Sequence, residues 1–323
     1  MKKVVIIGAA GFVGHYLIDH LYEKYGWTIV ATKMKAEKLE KKGIKVRNLD
    51  ILEMDEIVEL LQEEKPDYIF HLAAQSSVAL SWKNPQLTVD INMKGTCNVL
   101  EAVRTLDYKP RILLIGSGEE YGYILPEESP VAETGTVRPG NIYAATKAGQ
   151  NMIGTIYAKA YGMDVMMVRA FNHIGPNQLP IFVVADFCSQ VAAIEKGEKE
   201  PVICVGNLAA KRDFTDVRDV VKAYEMIMLH GKMGVTYNVG RGTSIAISDI
   251  LEKILAMSNT SIVVKTDEKK FRPVDIPDIA ADISLVKRDT GWQPEIPLEQ
   301  TLEETLDYWR QKKRGNFKAG SSL

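Results

Sequence analysis

The stretch "KVVIIGAAGFVGHYLIDHLYEKYG", residues 3–26, leaves a chain like this few folds to choose from. Val4, Val5, Ile6 and Ile7 form a short apolar run of the kind found in a strand covered on both faces. From Val13 the apolar residues recur at helical spacing until Gly26, which reads as the helix stop. Between strand and helix, Gly8, Gly11 and Gly14 stand at GxxGxxG spacing. One glycine allows a tight turn, one lets backbone approach a pyrophosphate, and one lets the helix pack close to the sheet. The helix start then offers free N–H groups and the positive end of a dipole to phosphate. A glycine-rich turn without a ligand is the alternative. The strand–turn–helix setting favours a dinucleotide site, with Phe12 and Val13 beside the glycines.

The same rhythm continues. "WTIVAT", "KVRNLD", "DYIFHLAA", "RILLIG" and "DVMMVRAF" read as further strands. Helices are expected at "MDEIVELLQEE", along the whole of "NPQLTVDINMKGTCNVLEAVRTL", and from about Ile142 to Ala160. Strands alternating with helices of this length give an α/β fold with a doubly wound, mostly parallel sheet of the Rossmann type. After Asn172 the rhythm loosens. The expected organisation is a dinucleotide-binding domain over 1–171 plus 202–244, a smaller α/β substrate lobe over 172–201 plus 245–315, and a flexible tail over 316–323. Ser248 is expected to cap the helix in "AISDILEKILAMSN". The run from Lys33 to Arg47, with seven basic residues and two acids, is expected to be a solvated loop with a helix.

Charge and cysteine content narrow the class of partner. A formal net charge of −2 supplies no global attraction to nucleic acid or an anionic membrane. Cys97, Cys188 and Cys204 are far apart and form no CxxC pair, which argues against a disulfide framework or a zinc site. His173 has no visible metal companion, and no metal is expected. The first apolar run breaks at Gly8, too soon for a signal peptide, and no stretch approaches the ~18 apolar residues that span a bilayer. The expectation is a cytoplasmic protein.

The end of the second strand bears on which dinucleotide fits. An acid there would bind both ribose hydroxyls of NAD. The strand instead ends in Thr32 and Lys33, with no acid until Glu37. A lysine can neutralise a 2′-phosphate, so NADP(H) is favoured and NAD(H) is the alternative; an exposed lysine without a ligand is the bland reading. Asp50, ending "RNLD", is placed either to meet an adenine amino group or to cap the helix that follows.

"NIYAATKAG" puts Tyr143 and Lys147 at i,i+4 on a helix, facing the same way. A tyrosine acid or base needs a phenol brought down from a pKa of about 10, and a nearby ammonium can do this. With Ser117 after the fifth strand, this makes a hydroxyl–phenol–ammonium set. Between Ser117 and Glu119 stands Gly118, which has no side chain to offer.

In order along the chain, "GAAGFVG", "HLAAQSSV", "SGEEYG", "YAATKAG", "VRAFNHIGP", "GNLAAKRDFTDVRD" and "RPVDIP" resemble the extended short-chain dehydrogenase/reductases that modify nucleotide sugars. Within them the chain is most similar to the GDP-4-keto-6-deoxymannose reductases, which make GDP-rhamnose. The resemblance implies that Ser117, Tyr143 and Lys147 are catalytic, and that Ala73, Ala74 and Asn92, with Leu72 and Ile51 beside them, lie along the cofactor. It also implies a GDP-sugar partner and a homodimer. Arg212 and Arg272 are the candidates for its diphosphate, an exposed ion pair being the alternative for each. Asn172 can donate to a phosphate oxygen, and Ser76 and Ser77 can reach sugar hydroxyls. In the related GDP-mannose dehydratases the turn carries Thr, a polar residue and Glu, the Glu acting as base. Here Glu119 remains while Gly118 has no side chain, so Glu119 is expected to orient the sugar in a reductase. A dehydratase or epimerase of the same architecture is the first rival reading, and a non-catalytic NADP-sensing protein the second.

Overall fold

The computed structural model describes residues 1–271 and 276–312. Contacts divide the chain into two compact units. The first holds 1–173, 210–245 and the described part of 272–295; the second holds the described remainder.

In the first unit, β1 (Lys3–Ile7), β2 (Thr28–Lys33), β3 (Lys45–Asn48), β4 (Tyr68–His71), β5 (Arg111–Ser117) and β6 (Val165–Ala170) form one sheet with Thr236–Val239. The order across it is β3-β2-β1-β4-β5-β6 and then Thr236–Val239, every pairing being parallel. Register is carried by β1, where Val4 faces Ile29 on one side and Tyr68 on the other. Alternate residues of the strands feed two cores. Val4, Ile6, Phe70, Leu113 and Val168 pack with α1 (Phe12–Tyr25) on one face. Val5, Ile7, Ile69, Ile112 and Leu114 pack with α2 (Met54–Glu64) on the other. Burial on both faces is why the strands read as unbroken apolar runs, each buried Val or Ile contributing about 1.5–3 kcal/mol. The doubly wound parallel sheet expected from the sequence is present.

Two expectations about this unit need correction. The predicted single helix over "NPQLTVDINMKGTCNVLEAVRTL" is interrupted. After the short α3 (Val78–Lys83) come α4 (Pro85–Val89), a π-helical turn over Asp90–Lys94, and α5 (Gly95–Arg104). The Gly95 N–H bonds back to Asp90 O, one residue further than an α-helix reaches. The basic run Lys33–Arg47 contains no helix; it crosses between β2 and β3 as turns and bends. Lys41 is tied there to Asp19. The helix from Ile142 ends at Tyr161, one residue beyond the expected stop, and is α6.

In the second unit, α7 (Val183–Glu195) precedes a strand at Val202–Val205 that pairs in parallel with Val263–Thr266. Back in the first unit, α8 (Val217–His230) is capped by Asp216, whose carboxylate accepts from Arg218 N. The second unit resumes with α9 (Ile247–Ala256). Its N-cap is Ala246, without a side-chain cap, so Ser248 is not the capping residue; it lies inside the first turn. α10 (Ser284–Thr290) belongs to the first unit and α11 (Leu298–Gln311) to the second. α11 begins a turn earlier than "LEETLDYWRQKK" implied, directly after Pro297. Among the described residues, no helix is long and apolar enough to cross a membrane.

Candidate active site

The strand order reverses between β1 and β4, and the residues just past these strands meet there. Such switch points are where ligands bind in doubly wound sheets. Gly8 has φ +80, and a Cβ on it would stand 2.6 Å from the backbone N and Cα of Ala73. Both the turn and the close approach therefore require glycine. At Gly14 a Cβ would come within 2.3 Å of Ala9 O, so α1 lies against the turn only because that position lacks a side chain. Gly11 is exposed, caps α1 and makes no such contact. Thr32 is buried, and its hydroxyl accepts from Gly8 N at 3.2 Å, holding the turn from the end of β2. Phe12 stacks on His173, their ring centroids 6.2 Å apart, and Val13 packs on the core.

Past β4, Leu72 N and Ala73 N both donate to Ile7 O. Asn92, in the π-helical turn, fastens the rest of this loop. It accepts from Gln75 N at 2.8 Å and donates to Gln75 O and to Thr146 Oγ1 on α6. Ala74 lies partly buried in this loop. Ser76 is exposed, while Ser77 caps α3 through Leu80 N. Lys33 is partly exposed, its ammonium donating to Asn48 Oδ1 and Met34 O. Asp50 does not cap α2, whose N-cap is Glu53; its carboxylate accepts from Leu52 N in a local turn. Ile51 is buried against Gly95.

Ser117 ends β5 and caps a short 3₁₀ turn, Gly118–Tyr121. Its Oγ accepts from Glu119 N at 3.2 Å and is the hydrogen-bonding partner of the Tyr143 phenol. Tyr143 and Lys147 are buried on the first turns of α6, which Asn141 caps through Ala144 N. The structure brings Ser117, Tyr143 and Glu119 together, Asn141 Nδ2 reaching Glu119 Oε2 at 3.3 Å.

The electrostatics differ from expectation at Tyr143. Burial pushes its phenol well above the usual range; the Ser117 hydrogen bond works the other way, and the charges of Glu119 and Glu120 push it further up. The Lys147 ammonium donates to Ile115 O at 2.7 Å and Gln150 Oε1 at 3.0 Å. Burial also brings Lys147 down to about 8, opposed by Glu120.

Asn172 is exposed two residues past β6, as the first residue of a short strand, Asn172–Ile174. Arg212 is buried, its Nη1 donating to the carbonyls of Lys211 and Ile276, so the alternative of an exposed surface residue does not hold. Arg272 lies outside the described residues.

Three residues that sequence reasoning passed over shape the site. Glu120 is wholly buried beneath Ser117, ion-paired with Arg169 of β6 at 2.8 Å. Phe171 presents its ring to Gly118: a Cβ at 118 would lie 3.0 Å from it. The signal for Glu120 was the S-x-x-E spacing from Ser117, which is a capping box and is formed here.

The GDP-mannose 4,6 dehydratase family model matches residues 5–305. The chain belongs to this family. It is an enzyme of the short-chain dehydrogenase/reductase type, within the nucleotide-sugar reductases and dehydratases. A GDP-6-deoxy-D-mannose reductase of Pseudomonas aeruginosa is 29% identical over 97% of this chain and 99% of its own. A GDP-mannose 4,6-dehydratase of Vibrio cholerae is also 29% identical, over 94% of this chain and 93% of its own. The solved structure of RMD from Pseudomonas aeruginosa complexed with NADPH superposes with a TM-score of 0.86 at 30% identity, covering 96% of this chain and 99% of that one.

Proposed function

We propose that this enzyme reduces the C4 ketone of GDP-4-keto-6-deoxy-D-mannose with NADPH, giving GDP-D-rhamnose. The observation that carries this reading is the turn beside the proton donor. Elimination of water needs an acid and a base poised together, whereas ketone reduction needs one proton donor. At Gly118 there is no side chain, and the Phe171 ring crowds the place one would take. Reductase and dehydratase relatives are equally identical, so this local difference weighs more than overall similarity.

NADP(H) fits the residues present. The exposed Gly11 starts α1 with no side chain beside the helix's free N–H groups, and Lys33 closes β2 with a cation. Gly8, Gly11 and Gly14 would hold the pyrophosphate and Lys33 the 2′-phosphate, with Phe12, Val13, Thr32, Asp50, Ile51, Leu72, Ala73, Ala74 and Asn92 around them. When bound, the reduced nicotinamide supplies a hydride to the ketone carbon. Tyr143 gives the proton to the ketone oxygen, and burial keeps that phenol protonated at neutral pH. Ser117 hydrogen-bonds the same oxygen. Lys147 is positioned from within α6 and carries its charge at neutral pH. Glu119, Ser76, Ser77, Asn172, Arg212 and Arg272 complete the proposed sugar and diphosphate contacts.

The reading is tested with purified enzyme in two arms, one given GDP-4-keto-6-deoxymannose with NADPH or NADH, the other GDP-mannose alone. Nicotinamide oxidation in the first arm alone is the expected result. Water loss from GDP-mannose in the second arm would make Glu119 a working base and the dehydratase reading correct. Lys33→Asp should raise KM for NADPH by about 10–100-fold, the worth of one charge-assisted hydrogen bond, and leave KM for NADH nearly unchanged. Equal effects on both would remove Lys33 from the 2′-phosphate. The homodimer belongs to the same proposal: α6 exposes Met152 and Ile156 at i,i+4, an apolar pair suited to a second copy. Sedimentation at micromolar concentration reads it directly, and a monomer there would refute it.

A further inference from the structure

Beneath Ser117 lies a carboxylate that the proposed proton transfer does not use. Glu120 Oε1 accepts from Ser117 N at 2.9 Å, and its Oε2 accepts from Arg169 Nε at 2.8 Å and Asn151 Nδ2 at 3.2 Å. The side chain can fold back there because residue 116 is glycine; a Cβ at 116 would stand 2.3 Å from Glu120 Oε1. Arg169 is fixed in turn, donating to Tyr121 Oη at 2.9 Å and Glu133 O at 3.0 Å, with its guanidinium 4.6 Å from the centroid of the Tyr121 ring. Buried ion pairs are weak stabilisers compared with well-packed apolar residues. A role for this one is better sought in what it holds.

We propose that Glu120 is a positioning residue of the reducing site, its carboxylate fixing the Ser117 backbone so that the Ser117 hydroxyl and the Tyr143 phenol meet the substrate oxygen together. The inference rests on the reductase reading for its kinetic part and on the Ser117 hydrogen bond for its structural part. The three donors aimed at the two oxygens match the ionised carboxylate, whereas a protonated one would set an O–H among them. Charged and titratable groups face Glu120 from every side: Arg169 on β6, Lys147 and Tyr143 on α6, Glu119 and Tyr121 on its own turn, and Glu133 beyond Arg169. Burial outweighs the two cations and lifts Glu120 to about 7. Falling pH therefore protonates it near neutrality and loosens Ser117, so kcat should rise with pH through about 7, up to the range near 8 where Lys147 starts to lose its charge.

The test uses the full chain as Glu120→Gln and as the double variant Glu120→Leu/Arg169→Met, which removes both charges. Gln leaves a donor facing a donor. In either variant kcat at pH 8 should fall by about 10–100-fold with KM for NADPH within about twofold, and the acid limb of the kcat profile should flatten. Amide exchange at Ser117 should quicken while the rest of β5 stays protected. Wild-type kcat and an intact acid limb in a folded variant would overturn the proposal. If Glu120→Gln does not fold, the double variant decides by the same criteria. If the wild-type enzyme reduces no such ketone, the reductase reading fails by itself, and Ser117 exchange decides about Glu120: faster supports the holding role, unchanged overturns it.

Discussion

Tyr143→Phe should lower kcat for ketone reduction by about 10²–10⁴-fold, the usual worth of a positioned general acid. The variant should still fold, because the ring that fills this buried site on α6 is kept. The loss should fall on kcat rather than on the KM for NADPH, since only the phenolic O–H is removed. Ser117 cannot take over. Its hydroxyl belongs to the 3₁₀ turn, where it accepts from Glu119 N, and an ordinary serine hydroxyl is a far weaker acid than a phenol. Steady-state turnover at saturating NADPH measures the effect. Turnover near that of the wild type would take the proton-donating role away from Tyr143.

Arg169→Leu should cost up to about 3–5 kcal/mol of stability at alkaline pH, where it leaves the Glu120 carboxylate buried without its cation. The sign of its pH dependence follows from linkage. Burial raises Glu120 and Arg169 opposes that, so removing Arg169 raises the folded-state value further above the unfolded one. The folded variant then holds its proton more tightly than the unfolded chain. The deficit is greatest above the variant's folded value and shrinks as the pH falls from there to the wild-type folded value of about 7, below which both folded proteins hold the proton. Urea unfolding of wild type and variant at pH 8 and pH 5 reads the difference directly. A deficit that stays constant between the two would mean that the lost packing of the arginine, and not the stranded charge, accounts for it.

The sheet was legible in the sequence for a simple reason. Strands buried on both faces write unbroken apolar runs, as in Val4–Ile7 and Val165–Val168, and the Gly8 turn marks where the first helix must start. Tyr143 and Lys147 were equally legible, because i,i+4 spacing fixes a shared helix face. What escaped was set by burial and by breaks in periodicity. The π-helical turn at Asp90–Lys94 leaves the apolar pattern of its segment nearly helical, so nothing local separates it from one long helix. Glu119 and Glu120 are adjacent, and only the backbone turn decides that the second faces inward beneath Ser117. The lowering of Tyr143 by Lys147 was inferred from spacing alone. What spacing did not announce is the ammonium's hydrogen bond to Ile115 O, on a strand remote in sequence. Arg212 shows the same limit: "KRD" has the look of a surface cluster, yet its guanidinium is buried.

The π-helical turn also says something about which changes in chain length this protein can absorb. Each residue of a helix advances it by about 100°. The extra residue held between Asp90 and Gly95 rotates everything before it by that amount relative to α5. Asn92 sits inside the turn, where it reaches Gln75 on one side and Thr146 on the other. Delete one residue here and the helix would become regular, smoother in its own hydrogen bonding but with Asn92 swung off both partners. The loop between β4 and α3 would then lose its anchor. In this segment the count of residues is itself under constraint: an outward-facing side chain can be exchanged freely, whereas a loss of a single codon would disconnect the cofactor-side loop from α6.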